Sequence, residues 1–62
     1  MKETRFRAGQ IVRLIAGPFV GFRGEVQMAT TLTAEVSVYV YGRTTPLEVS
    51  DNDIEPVPEN SN

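Results

Sequence analysis

The sequence has no cysteine and no histidine. Without cysteine there is no disulfide and no thiolate chemistry, and without histidine the commonest catalytic base is missing. The usual zinc ligands are absent as well. Asp51, Asp53 and Glu55 have the alternate spacing of a calcium loop but lack the glycine and the later glutamate that such a loop needs. The residues therefore predict a protein that is not an enzyme and that holds no metal or cofactor.

Strong positive charge and long apolar runs are also missing. Six lysines and arginines stand against eight acidic residues, for a net charge of −2, whereas domains that bind phosphate backbones are usually basic. No apolar run approaches the roughly 20 residues of a membrane span, and the first residues do not resemble a signal peptide. We expect a soluble, cytoplasmic monomer with no membrane partner, for which nucleic acid is at most a secondary partner.

What the sequence does contain is an unusual loop at residues 17–24, Gly-Pro-Phe-Val-Gly-Phe-Arg-Gly. Its three glycines and one proline predict irregular backbone. Phe19 and Phe22 lie where an ordinary turn carries Asn, Asp or Ser. The two rings are either a plug for the core or a contact surface, and the residues alone leave both open.

Strand-like sequence surrounds this loop. The clearest alternation puts Val36, Val38 and Val40 on one face, with tyrosines on the other. In the same way Val26 and Met28 are expected to share one face of an earlier strand, with Glu25 and Gln27 on the other. Short strands are predicted at 10–16, 23–29, 34–41, 45–49 and 54–57. With no long helical pattern, they indicate an all-β barrel, whose closure would hide the sheet edges.

The 62 residues suffice for one domain. We expect a flexible N-terminus at 1–5, a folded domain at 6–57 and a disordered tail at 58–62. Phe6 is predicted to close one end of the core. Residues 50–53 are predicted to form a single helical turn or a polar turn.

These residues together resemble the KOW-motif domain that ends the bacterial transcription factor NusG. The resemblance covers about residues 6–57. It is carried by Phe6, Gly9, Val12-Arg13, Gly17-Pro18-Phe19, Phe22, Gly24, Val36, Val38, Gly42-Arg43, Thr45-Pro46, Glu48 and Ile54-Glu55-Pro56-Val57. It implies a five-stranded SH3-like (Tudor-like) barrel, with Gly17 and Gly24 as the glycines of the KOW motif.

The resemblance also implies a function, that of a docking module for a NusE-type ribosomal protein or for Rho. The partner-binding residues that it implies are Phe19, Phe22, Val26, Val40, Tyr41 and Arg43. Strand alternation puts Val40 in the core, so its assignment conflicts with the pattern. Arg43 is a rim contact to an acidic or carbonyl group of the partner, a solvated side chain, or a side chain that pairs with Glu48. A partner strand added to an open sheet edge is a further mode of contact.

The sequence departs from the family in three ways. It lacks the first domain, which binds RNA polymerase, so we expect either a stand-alone KOW protein or an excised domain. The hairpin between the second and third strands is about two residues shorter than in well-known members, and Tyr41 replaces a phenylalanine.

Two other functions stay open. In one, Arg5, Arg7, Arg13 and Arg23 form a weak basic strip, beside which Phe22 stacks an RNA base as in ribosomal KOW proteins. In the other, the domain is a structural adaptor in a larger complex, without a link to transcription.

Overall fold

The computed structural model describes residues 4–58. They form one antiparallel sheet of five strands in the order β4-β3-β2-β1-β5. The strands are β1 (Ile11–Leu14), β2 (Arg23–Ala29), β3 (Thr33–Val40), β4 (Arg43–Ser50) and β5 (Ile54–Pro56), with a 3₁₀ turn at Asp51–Asp53. The predicted all-β, SH3-like class is confirmed. Within the described residues, no helix is both long and apolar enough to cross a bilayer.

The core lies on the concave side of the sheet and follows the predicted alternation. Val36 and Val38 have no exposed surface, and Tyr39 between Val38 and Val40 is 67% exposed. Phe6 is buried as predicted. The buried apolar set comprises Phe6, Val12, Leu14, Val26, Ala34, Val36, Val38, Val40 and Ile54. Each strand thus turns every second side chain inward.

A β-bulge corrects one prediction in β2. Val26 pairs with Val36, but Met28 pairs with Glu35. Between these two pairs, β2 therefore contains one residue more than β3. The extra residue inverts the alternation. Met28 is therefore 57% exposed, and the prediction that it shares a face with Val26 is wrong.

The N-terminal segment is attached to the 3₁₀ turn. Arg5 Nη1 donates to the carbonyl oxygen of Asp51 at 3.2 Å and lies 3.8 Å from its carboxylate. The guanidinium also stands 5.3 Å from the ring centre of Phe6. The turn itself, predicted from its polar residues, is capped by Ser50, whose hydroxyl accepts from Asn52 N. Of the predicted flexible ends, residues 1–3 and 59–62 lie outside the described residues.

Within residues 4–58, the hydrogen-bonded ladder has two free edges, whereas closure was expected to hide them. β4 and β5 are the outermost strands. Each carries a proline whose nitrogen points away from its neighbour. In β5, the bonds from Ile15 N to Asp53 O and from Val57 N to Ile11 O mark the hydrogen-bonded pairs, so Pro56 lies in a pair without such bonds.

The same alternation applies to β4. A two-residue turn joins Val40 to Arg43, and the residues that flank such a turn form a hydrogen-bonded pair. Pro46, opposite Ser37, then lies in a pair without hydrogen bonds and faces the open edge. Because proline has no N–H, both free edges lack a donor where an added strand would need one.

The variant Pro46→Thr/Pro56→Thr restores both outward N–H groups. We expect it to self-associate as its concentration rises, because two complete edges can then pair between molecules. Sedimentation velocity should show oligomers at concentrations where the parent shows a smaller species. Pro58→Thr, outside the strands, is the control and should sediment like the parent. If the double variant does so too, the prolines do not protect the edges.

Candidate functional site

The loop between β1 and β2 has a fixed backbone. Gly21 N donates to Leu14 O at 2.7 Å, and Leu14 N donates to Phe22 O at 2.9 Å. Gly17 and Gly21 adopt φ angles of 89° and 95°, which side chains rarely allow. The two glycines let the chain reverse direction sharply. Phe19, which lies between them, and Phe22, which follows them, therefore hold defined positions.

Phe19 and Phe22 are both half-buried and pack against the core. Their ring centres are 6.1 Å apart with an interplanar angle of 71°, an edge-to-face arrangement. The sequence left a choice between core plug and contact surface. Each ring is both part of the core and part of the surface, because it packs against the core and is only half-buried.

Tyr41 joins these two rings from a distant part of the chain. It is the first residue of the two-residue turn between β3 and β4, and its ring centre lies 6.4 Å from that of Phe22 at 76°. It is 92% exposed. We call Phe19, Phe22 and Tyr41 the aromatic patch. The three rings form a continuous edge-to-face series that ends in solvent.

The backbone of Tyr41 is in an uncommon conformation. Its φ of 51° is the one positive value among the non-glycine residues from 4 to 58, and Gly42 follows at 82°. These angles are those of a type I′ turn, for which Asn-Gly is the preferred pair. A bulky side chain in the left-handed region costs about 1–2 kcal/mol. The turn itself therefore does not favour a tyrosine at position 41.

Sequence comparisons relate the chain to NusG proteins. No protein-family model matches the chain. The chain is 37% identical over 57 residues to the transcription termination/antitermination protein NusG of Pseudomonas aeruginosa, an alignment of 89% of this chain and 32% of the relative. NusG of Vibrio cholerae is 38% identical over 55 residues, with 86% and 30% covered. NusG of Treponema pallidum is 44% identical over 46 residues, with 71% and 25% covered.

The chain is a KOW-type domain related to NusG. It spans about a third of the length of the curated NusG relatives that it matches. The sequence identity to NusG, the five-stranded sheet and the glycine-rich aromatic loop all fit this domain type. The resemblance read from the sequence is confirmed for the domain type.

Two residues of the contact set implied by NusG do not reach the surface. Val26 has no exposed area and Val40 has 7%. Val26 pairs with Val36 in the middle of the sheet, and Val40 ends the inward valine row of β3. Their side chains therefore lie in the core. For Val40 this agrees with the strand alternation, and the assignment of both valines to a partner contact stays a prediction.

Arg43 lies beside the patch. It is the first residue of β4, is exposed, and pairs with Val40 across the hairpin. Glu48 lies five positions further along the same strand, on the opposite face and about 16 Å away. An ion pair between the two, one reading of the sequence, is therefore excluded. Along the chain, Arg43 follows Tyr41 of the aromatic patch by two positions.

The basic strip considered for RNA is partly neutralised. Arg5 lies against Asp51 and Arg13 Nη1 stands 3.9 Å from a carboxylate oxygen of Glu55. Among residues 4–58, no group of three or more acidic side chains could hold a metal ion. Pro46 was predicted from the sequence to fit an edge or a strand start, and β4 is an edge strand. Sequence reasoning missed the contact of Arg5 with Asp51 and the outward position of Pro56. The outward proline positions could have been found from strand parity once the hairpin turn was known.

Proposed function

We propose that this domain is a non-enzymatic protein-docking module that acts in transcription termination or antitermination. Its relatives are transcription termination/antitermination proteins, which supports the process. The resemblance read from the sequence supports the partners, a NusE-type ribosomal protein or Rho. The contact surface in this proposal is the aromatic patch, with Arg43 at its rim.

The observation that carries the proposal is the position of Tyr41. An almost fully exposed ring, held in a conformation that costs free energy, continues the series from Phe22. Folding does not account for that ring, because it buries little surface within the domain. Aromatic side chains that enter a partner's pocket are common hot spots, each worth about 2 kcal/mol or more.

The surroundings of the patch suit a small interface. A cavity of about 320 Å³ lies beside Phe19, bordered among others by Pro18, Leu47 and Val49. It can receive an apolar side chain from a partner. Arg43 can donate to a carboxylate or a carbonyl group beside it. Because both sheet edges carry prolines, we favour contact through side chains over strand addition. An interface of this size predicts modest affinity.

The proposal is tested by NMR titration of the ¹⁵N-labelled domain with a NusE-type ribosomal protein and, separately, with Rho. With at least one of them, we expect amide shifts concentrated at residues 17–24 and 40–43. Amides at the far end of the sheet, such as that of Glu35, should stay unchanged. Shifts confined to that far end, or no shifts with either protein, would contradict the proposal.

A salt series distinguishes this function from RNA binding. Docking through aromatic rings should lose little affinity between 50 and 200 mM salt, whereas phosphate contacts lose affinity steeply. A single-stranded oligoribonucleotide is the parallel ligand. Tighter and salt-sensitive binding to the oligoribonucleotide would favour the ribosomal type of KOW function instead.

A further inference from the structure

A groove crosses the outer face of β2, β3 and β4, at the end of the barrel away from the aromatic patch. It has a volume of about 440 Å³. Its residues are Met28, Thr30, Thr33, Glu35, Pro46, Leu47 and Glu48. We call it the outer groove. The side chains of Met28 and Pro46 supply apolar surface, and the two glutamates supply negative charge.

The bulge in β2 is what places Met28 in this groove. Regular pairing would have turned this side chain into the core, but the extra residue leaves it 57% exposed. Bulges often re-aim a side chain for a purpose. Methionine is flexible and polarizable, which suits contact with partner side chains of varied shape. The sheet thus presents an adaptable apolar side chain to solvent.

The position of the two acidic residues of the groove is unfavourable for the stability of the sheet. Glu35 and Glu48 are exposed and lie directly opposite each other on β3 and β4. Like charges in that relation destabilise a sheet. Between residues 4 and 58, the ion pairs engage Asp51 and Glu55 and neither of these glutamates. Sheet stability does not explain this pair, whereas an external cation would.

We propose that the outer groove is a second docking surface, whose occupant is a polypeptide segment of a partner protein with lysine or arginine flanked by apolar residues. The apolar side chains would contact Met28 and Pro46, and the cation would lie between Glu35 and Glu48. Charge complementarity selects this occupant, since two adjacent carboxylates repel phosphate backbones and acidic lipids. This surface does not depend on the aromatic patch.

The two surfaces are far enough apart to be occupied together. Glu35 and Tyr41 lie six residues apart along β3 and its turn, which corresponds to about 20 Å of extended chain. A separate partner can therefore bind at each end of the sheet.

The probe for the test is the peptide acetyl-Gly-Leu-Lys-Leu-Arg-Gly-amide, titrated into the ¹⁵N-labelled domain. We expect amide shifts at Met28, Glu35 and Glu48 and none at Phe22 or Tyr41. The double variant E35Q/E48Q keeps the shape of the groove and removes its charge, so the peptide should bind at least fivefold more weakly. E55Q makes one such change outside the groove and should bind the peptide within twofold of the parent.

Two further peptides test the chemistry of the occupant. Replacing the lysine and arginine by glutamate should abolish the shifts, and replacing both leucines by glycine should weaken binding several-fold. The proposal fails if E35Q/E48Q binds the first peptide as well as the parent does, or if the shifts map to the aromatic patch. Concentration-dependent shifts at the groove without peptide would also overturn it, because the occupant would then be a second copy of the chain.

Discussion

Gly24→Ala is expected to cost at least a third of the stability of this domain. A Cβ atom at Gly24 would stand 2.5 Å from Val36 Cγ1, 2.8 Å from Ser37 O and 3.0 Å from Val38 Cγ2. Gly24 lies in β2, paired with β1 on one side and β3 on the other. The Ser37 oxygen belongs to the backbone of β3, so it cannot withdraw without disturbing the ladder.

The expected loss is about 3 kcal/mol, the upper range for overpacking in a core. A chain of this length has a total stability on the order of 3–9 kcal/mol. The melting midpoint should then fall by about 12–24 °C, since each kcal/mol shifts it by about 4–8 °C in a domain of this size. Thermal unfolding followed by circular dichroism measures the change.

Gly17→Ala is the matched control. Gly17 has open space around it but a φ of 89°, so the added methyl group meets no atom and costs only backbone strain of about 1 kcal/mol. We expect its midpoint to fall by about 4–8 °C. The two glycines of the KOW motif would thus be required for different reasons. If both variants have the same melting midpoint, the close contacts around position 24 are not the reason that a glycine is required there.

Tyr41→Asn is expected to separate binding from folding. The ring at position 41 is 92% exposed, so its loss removes little packing within the domain. Asparagine is also favoured at this position of a type I′ turn. The variant should melt at the parent's temperature or above it. A hot-spot ring is worth about 2 kcal/mol, so affinity for the NusE-type protein or Rho should fall about 30-fold.

Tyr39→Thr is the control for this experiment. Tyr39 is 67% exposed on the outer face of β3, outside the aromatic patch, and threonine suits a strand. We expect its affinity for the partner to equal that of the parent by calorimetric titration. Equal affinity of Tyr41→Asn and the parent would show that the proposed docking does not use this ring.

Phe19 and Phe22 are less useful for such a test. Both rings pack against the core as well as facing outward. Alanine at either position would remove core contacts and surface contacts together, so a loss of binding could not be separated from a loss of structure. Tyr41 is the member of the patch whose removal tests the surface alone.

Agreement between sequence and structure is closest where the pattern is local. β2 occupies residues 23–29 as predicted, and the valine row of β3 is buried as expected. β4 is longer than predicted because a two-residue turn lets pairing begin at Arg43. Met28 was misplaced because a bulge depends on the fit between two strands, and alternation within one strand carries no sign of it.

The sequence by itself determined the class of the domain and the kind of chemistry open to it. Alternating valines, glycine-rich turns and the absence of cysteine and histidine are local or compositional properties, and they carry that information. Only the tertiary structure decided which side chains share a surface. Strand pairing and sheet curvature bring Tyr41 to Phe22 and hold Glu35 opposite Glu48. These contacts join distant parts of the chain, and their geometry depends on register and twist.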